Sequence, residues 1–178
     1  MNRVIALALV LAVVGACRSQ TITVIPSAEL PRDIYQSPPP TPTQGVEGTF
    51  QIYFVQGNQL TPVQRTSHDK GSLEEAMRLL LEGATVGEQQ SGLASAIPLG
   101  VELLSARMSG STASIDLTSE FESEAEEQIL LLRLAQVVFT ATALPEVEKV
   151  RFLIDSEPSG VLIANGTVVT RPVTRSDY

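Results

Sequence analysis

Cysteine occurs once in 178 residues, at position 17. A single thiol excludes a disulfide scaffold, so the fold must be held by packing alone. Tryptophan is absent, and histidine also occurs once, at His68. A Ser-His-Asp relay needs a histidine poised by a carboxylate, whereas His68 lies in the polar stretch Thr66-Ser67-His68-Asp69-Lys70, which reads as a solvated loop. Zinc requires three or four closely spaced His, Cys or carboxylate ligands, which one histidine cannot recruit. The phosphate-cradling GxxxxGK[ST] pattern is missing too. No metal or cofactor is therefore expected. Positive charge is also scarce, 12 Lys+Arg against 20 Asp+Glu with no basic run. A nucleic-acid partner, which needs a basic face, is set aside.

What is present begins with an export signal. Arg3 supplies a thin positive start, and Val4 to Val14 form an unbroken apolar run. That run is too short for the hydrocarbon core, which takes roughly 20 helical residues. Val14-Gly15-Ala16-Cys17 follows. It resembles the lipobox of bacterial prolipoproteins, in which the cysteine thiol receives diacylglycerol and cleavage leaves the cysteine as the mature N-terminus. The resemblance implies a signal peptide over 1–16, lipidation at Cys17, and a chain held at the extracytoplasmic face of the cell membrane. Two or three acyl chains suffice for stable anchoring, where one is marginal. An ordinary secretory signal with a chance cysteine, or a retained anchor helix, are the rival readings.

Composition changes over residues 17–47, which hold six of the eleven prolines, among them Pro38-Pro39-Pro40. Proline fixes φ and lacks an N–H, so this stretch is expected to be a solvated, semi-extended linker. The domain is placed at 48–178. Thr49 to Val55 reads as a strand, Gln56-Gly57-Asn58-Gln59 as a hairpin turn, and Leu60 to Thr66 as a returning strand that Pro62 confines to an edge. Ser72 and Glu75 suggest a capping box for a helix that Gly83 ends. Thr85 to Gly92 reads as a loop. Val101 to Met108 and Thr112 to Leu117 form a second hairpin. A long helix is expected from about Ser123, with a capping box to Glu126, to about Ala143, where Pro145 stops it. Between Ile129 and Phe139 only Arg133 and Gln136 interrupt its apolar surface, so it must be buried against a sheet or a partner. Lys149 to Asp155 and Val161 to Ala164 are strands, and the tail from Arg171 to Arg175 is extended. Hairpins dominate, which predicts an α+β fold: a single mixed, largely antiparallel sheet with two main helices packed on it.

Several residues qualify as candidates for chemistry. Glu120, Glu122, Glu124, Glu126 and Glu127 could in principle supply paired carboxylates for glycan hydrolysis. The plainer reading is negative charge collected at a helix start. Asp116 is expected to hydrogen-bond the turn that follows it. Gln136 and Thr140, one turn apart, read either as a satisfied polar pair touching sheet backbone or as a face for a partner domain. Arg151 and Asp155 share a strand face and are expected to pair. Asn165-Gly166-Thr167 matches a glycosylation sequon but reads as a turn.

Several segments, taken in order, resemble the GerMN domain family, a module of spore-germination and mycobacterial lipoproteins. They include Ile52-Tyr53-Phe54, Leu60-Thr61-Pro62-Val63-Gln64-Arg65 and Leu79-Leu80-Leu81-Glu82-Gly83. The match continues through Gly92-Leu93-Ala94-Ser95-Ala96-Ile97-Pro98-Leu99-Gly100, Ala113-Ser114-Ile115-Asp116-Leu117-Thr118 and Glu120-Phe121. It ends with Leu134-Ala135-Gln136-Val137-Val138-Phe139-Thr140, Val150-Arg151-Phe152-Leu153-Ile154-Asp155 and Arg171-Pro172-Val173-Thr174-Arg175-Ser176-Asp177-Tyr178. Two turns depart from the family pattern, which often has Gly-Pro at Gly83-Ala84 and Asp-Gly at Asp155-Ser156. The resemblance implies a non-catalytic module, similar to the ring-building motifs of secretion-apparatus proteins. It implies a role in envelope assembly, sporulation or germination, or signalling. The partners expected are the membrane through the lipid anchor, an envelope protein, and a second copy of the chain. A carboxylate-based peptidoglycan hydrolase and a small-ligand sensor for a kinase are the alternatives.

Overall fold

The computed structural model describes residues 48–69 and 71–178. The expected signal peptide, Cys17 and the proline-rich linker lie outside the described residues.

Strand β1 (Gly48–Gln56) pairs along its whole length with β2 (Gln59–Ser67), from Gly48 opposite Ser67 to Gln56 opposite Gln59. The two-residue connection needs left-handed backbone, and Gly57 supplies it at φ 62°. β2 is an edge strand, as Pro62 requires. Helix α1 (Leu73–Leu81) starts where the Ser72 hydroxyl accepts from the Glu75 N–H, and it ends before Gly83 at φ 79°. Only half of the expected capping box forms. The Glu75 carboxylate turns instead to Arg78 and to the Ser67 hydroxyl.

The stretch expected as a loop after α1 contains a short helix, α2 (Val86–Gln90), with a reciprocal Thr85/Glu88 capping box. A Thr-x-x-Glu signal was therefore present in the sequence. The strands continue with β3 (Leu93–Ala94), β4 (Leu103–Ser109) and β5 (Thr112–Leu117). Helix α3 (Glu127–Ala141) then leads to β6 (Lys149–Ile154), β7 (Glu157–Pro158), β8 (Val161–Leu162) and β9 (Val168–Val169).

Helix α3 begins four residues later than expected, with Glu126 as a cap that makes no side-chain bond. The reason is tertiary. Residues Ser119–Glu122 wind into a 3₁₀ turn that buries Phe121 against Phe152, ring centroids 5.9 Å apart. Arg133 Nη1 donates to the Phe121 and Ser123 carbonyls at 2.6 and 2.9 Å. Ser123 is thereby held in extended backbone and cannot enter the helix.

The α+β class and the mostly antiparallel pairing are as expected. The strands divide among three hydrogen-bonded groups, however, where one sheet was expected: β2-β1-β3, β4-β5-β6-β7 and β8-β9. Within the second group β5 and β6 run parallel, joined through α3. The groups stay separate because β1 offers β3 only Val55 and Gln56, and further back its edge is occupied by α3 side chains. Phe50, Ile52 and Phe54 of β1, Met77 and Leu80 of α1, and Val137 and Val138 of α3 meet Ile115, Val150 and Phe152 in one core. Each such side chain contributes about 1.5–3 kcal/mol by leaving water.

Candidate interaction surface

Helix α3 carries three polar side chains into the interior, and each satisfies backbone. Gln136 is 0% exposed and Thr140 1%. The Tyr53 N–H donates to Thr140 Oγ1 at 3.1 Å, and Gln136 Nε2 donates to the Tyr53 carbonyl at 3.1 Å. Gln136 Oε1 accepts from the Ala96 N–H at 2.6 Å. The two side chains replace a missing strand along the open edge of β1. Arg133 Nε adds a bond to the Ala96 carbonyl at 3.1 Å. Of the two readings of Gln136 and Thr140, the satisfied pair on sheet backbone is the one observed.

The Tyr53 bonds also fix the other edge. Because its N–H and carbonyl point toward α3, Tyr53 and its partner Pro62 form a non-hydrogen-bonded pair in the β1–β2 ladder. Pro62 therefore presents its N-less-H side to the free edge of β2, which blunts that edge against a further strand.

Two open grooves flank α3. One, of about 490 Å³, runs between the β1–β2 turn, α3 and the C-terminal tail. Its apolar floor comes from Leu60, Leu131, Leu132, Ala135 and Phe139, with exposed Gln59 and Gln128 at its polar margin and Tyr178 on the tail side. The Tyr178 hydroxyl is buried and has no hydrogen-bond partner among the described residues, and burial pushes its ionisation well above the ordinary range. The second groove, of about 310 Å³, lies between Leu130 and Leu134 on α3 and Phe152, Ile154 and Val161 on the strands beyond. Ile129, at the start of the helix between them, is 41% exposed.

The tail that forms one wall is fastened by charge and aromatic contacts. Arg175 lies over the rings of Tyr53 and Phe139 at 5.5 and 5.0 Å and donates to the Phe139 carbonyl at 2.9 Å. Arg171 donates to both Asp177 oxygens, at 3.2 and 2.6 Å. That guanidinium, with help from the Thr174 N–H and hydroxyl, holds the Asp177 carboxyl at about 2.

The other candidates do not converge. His68 is exposed in a bend. Glu120, Glu122, Glu124, Glu126 and Glu127 are exposed, and only Glu122 reaches a groove, where it accepts from the Ser159 hydroxyl at 2.6 Å. Neither groove joins two carboxylates, and among the described residues no three ligating side chains gather as for a metal.

Asp116 is buried, but its partner is not the turn that follows it. It accepts from the Ser156 N–H at 2.9 Å and the Ser156 hydroxyl at 3.0 Å, forty residues away. Asp155 and Ser156 turn the β6–β7 hairpin at φ 47° and 70°, which non-glycine residues seldom adopt, and Asp116 stabilises that turn. Because Asp155 is committed to the turn, the expected ion pair with Arg151 does not form. Asn165 Oδ1 accepts from the Thr167 N–H at 3.0 Å, so the sequon is a turn, as expected. The groove lining itself is not legible in the sequence. The only signal was that α3 is apolar on more faces than one sheet can cover.

The described residues thus form an α+β domain with two open, partly apolar grooves along α3. The profile of the family described as "Germane: Sporulation and spore germination" matches residues 51–160, more than half of the chain. The chain belongs to that family. Among solved structures, a candidate lipoprotein from Clostridium perfringens is 21% identical, with a TM-score of 0.52 over 74% of this chain and 89% of that one. The first GerMN domain of the sporulation protein GerM from Bacillus subtilis is 17% identical, with a TM-score of 0.54 over 72% and 98%. The tandem GerMN domains of that protein give 18% and 0.55, over 73% of this chain but 47% of theirs. At these identities the likeness is one of fold. None of the curated proteins matches the chain by sequence.

Proposed function

We propose that the protein is a membrane-tethered, non-catalytic GerMN-type module that binds a cell-envelope protein during envelope assembly, sporulation or germination, or signalling. In this reading residues 1–16 are a signal peptide, Cys17 carries diacylglycerol, and residues 17–47 link the anchor to the domain. The membership in the sporulation and germination family supports it, as does the similarity to a candidate lipoprotein. Among the described residues, no helix is long and apolar enough to cross a membrane.

The groove of about 490 Å³ along α3 carries the proposal. It is apolar at the floor and polar at the rim, the pattern of a protein contact. Gln136 and Thr140 are fully engaged with backbone and cannot serve a partner, and the β2 edge is blunted by Pro62. The exposed side of α3 is the surface left to do so. The test is a photo-crosslinking residue at position 131, used in intact membranes with Cys17→Ser as control. A discrete adduct that depends on Cys17 supports the reading. Adducts from the β2 edge and none from position 131 contradict it.

The orphaned Tyr178 hydroxyl favours a second reading, a small-ligand sensor whose ligand satisfies that hydroxyl. The groove falls within the usual volume range for such ligands, about 300–1,000 Å³. A ligand that raises the melting temperature of the native protein but not of Tyr178→Phe would support it. The remaining alternative, peptidoglycan hydrolysis, would require muramidase activity that falls when Glu120 to Glu127 are changed to glutamine.

A further inference from the structure

The chain carries a formal net charge of −8, yet one face of the β4-β5-β6 strands gathers three exposed cations. Among the described residues, Arg65, Arg78, Arg133, Arg171 and Arg175 all donate to oxygen acceptors. Arg107, Lys149 and Arg151 form no ion pair there, and all three are exposed. They are far apart in sequence, and the strand register brings them together. Arg107 on β4 lies opposite Ser114 on β5, and Ser114 lies opposite Arg151 on β6. Lys149 occupies the next row of the same face, opposite Thr112. The alternate residues Ala113, Ile115, Val150 and Phe152 point into the core, on the side where α1 and α3 pack. The basic face is therefore the side that neither helix covers.

The lone carboxylate on these three strands is Asp116, which is buried and bonded through both oxygens to Ser156. Strand spacing sets Arg107 and Arg151 about 10 Å apart, and Lys149 and Arg151 about 7 Å apart. Groups that grip one small phosphate converge, whereas these spread across a flat surface. We propose that this face rests on the surface of an anionic phospholipid bilayer. The choice of a bilayer, rather than a soluble polyanion, rests on the lipid-anchor reading above. In that reading residues 17–47 separate the anchor from the domain, which lets the domain turn this face to the lipid.

Each cation near an anionic leaflet favours the bound state about fivefold, so three give on the order of 100-fold. That is weak for a free protein and effective for a tethered one. Exposed Glu148 neighbours Lys149 and accepts from the Ser111 hydroxyl at 2.9 Å, which offsets part of that attraction, whereas charge more than about 8–10 Å from the headgroups is largely screened at physiological salt.

The test uses the chain from position 17 onward with Cys17→Ser, so that no acyl chain contributes. Its sedimentation with phosphatidylglycerol-containing vesicles is compared with that of the R107Q/K149Q/R151Q variant, and with pure phosphatidylcholine vesicles and soluble polyphosphate. The expected result is binding to anionic vesicles only, lost at about 1 M salt and weakened at least about tenfold in the triple variant. Undiminished binding by the variant, no vesicle binding by the parent protein, or binding to polyphosphate alone would each overturn the proposal. Failure of the anchor reading shows separately, as absence of acylation in cells.

Discussion

A buried amide on a helix is unfavourable unless its donors and acceptor find partners. Gln136 finds them on two different chain segments, the Tyr53 carbonyl and the Ala96 N–H. Gln136→Leu keeps the volume but leaves both backbone groups bare, at about 1–3 kcal/mol each. We expect the melting temperature to fall by on the order of 10 °C, and an unchanged melt would contradict the role. Asp116 and Ser156 offer a second case. Asp116→Ala strips Ser156 in the strained β6–β7 turn of both its bonds to Asp116 and is expected to cost about 1–3 kcal/mol by chemical denaturation. Ser156→Gly loses one hydroxyl bond while relieving the φ of 70°, so the two effects nearly cancel, to within about 1 kcal/mol. Neither partnership was legible beforehand. The sequence placed Asp116 at a strand end, and a local turn was the natural expectation, whereas the observed partner is set by which strand lies alongside.

At the scale of elements, the N-terminus of α1 is the clearest source of pH dependence. The Arg78 guanidinium beside Glu75, aided by the Ser67 hydroxyl and opposed by burial, holds the Glu75 carboxyl at about 2 instead of the usual 4.5. Asp177 moves the same way, from 3.8 to about 2. A carboxyl whose folded value lies below its unfolded one stabilises the fold above the unfolded value. That contribution disappears as pH falls through the folded one. The denaturant midpoint should therefore decline between about pH 4.5 and pH 2, and Glu75→Gln should flatten part of the decline. Equal slopes for the two proteins would contradict it. The elements themselves were largely readable where local chemistry decides: the Gly57 hairpin, Ser72 and Gly83 on α1, and the second hairpin before Thr112. They were misread where long-range contacts decide. Ser123 and Glu126 carry the pattern of a helix start, but Arg133 captures the carbonyls of Phe121 and Ser123 and delays it.

For the whole molecule, periodicity established the α+β class, but it could not reveal that α3 side chains close the edge of β1 and divide the strands among three groups. The grooves were equally hidden, since they arise between α3, the β1–β2 turn and a tail more than a hundred residues from that turn in sequence. If the larger groove is the docking surface, a photo-crosslinking residue at position 128, on the same groove, should lose its partner adduct in Leu131→Glu, with the melting temperature shifting by less than about 3 °C because Leu131 is only half-buried. A large destabilisation would instead assign Leu131 to the core. The proposed function depends on a lipid tether, which would bring a modest binding surface to its site of action. Its most direct test is metabolic labelling with palmitate in cells that process lipoproteins, followed by membrane fractionation of the wild-type chain and Cys17→Ser. The account predicts label and membrane retention for the wild type and neither for the variant. Unlabelled wild-type protein recovered from the medium would contradict it.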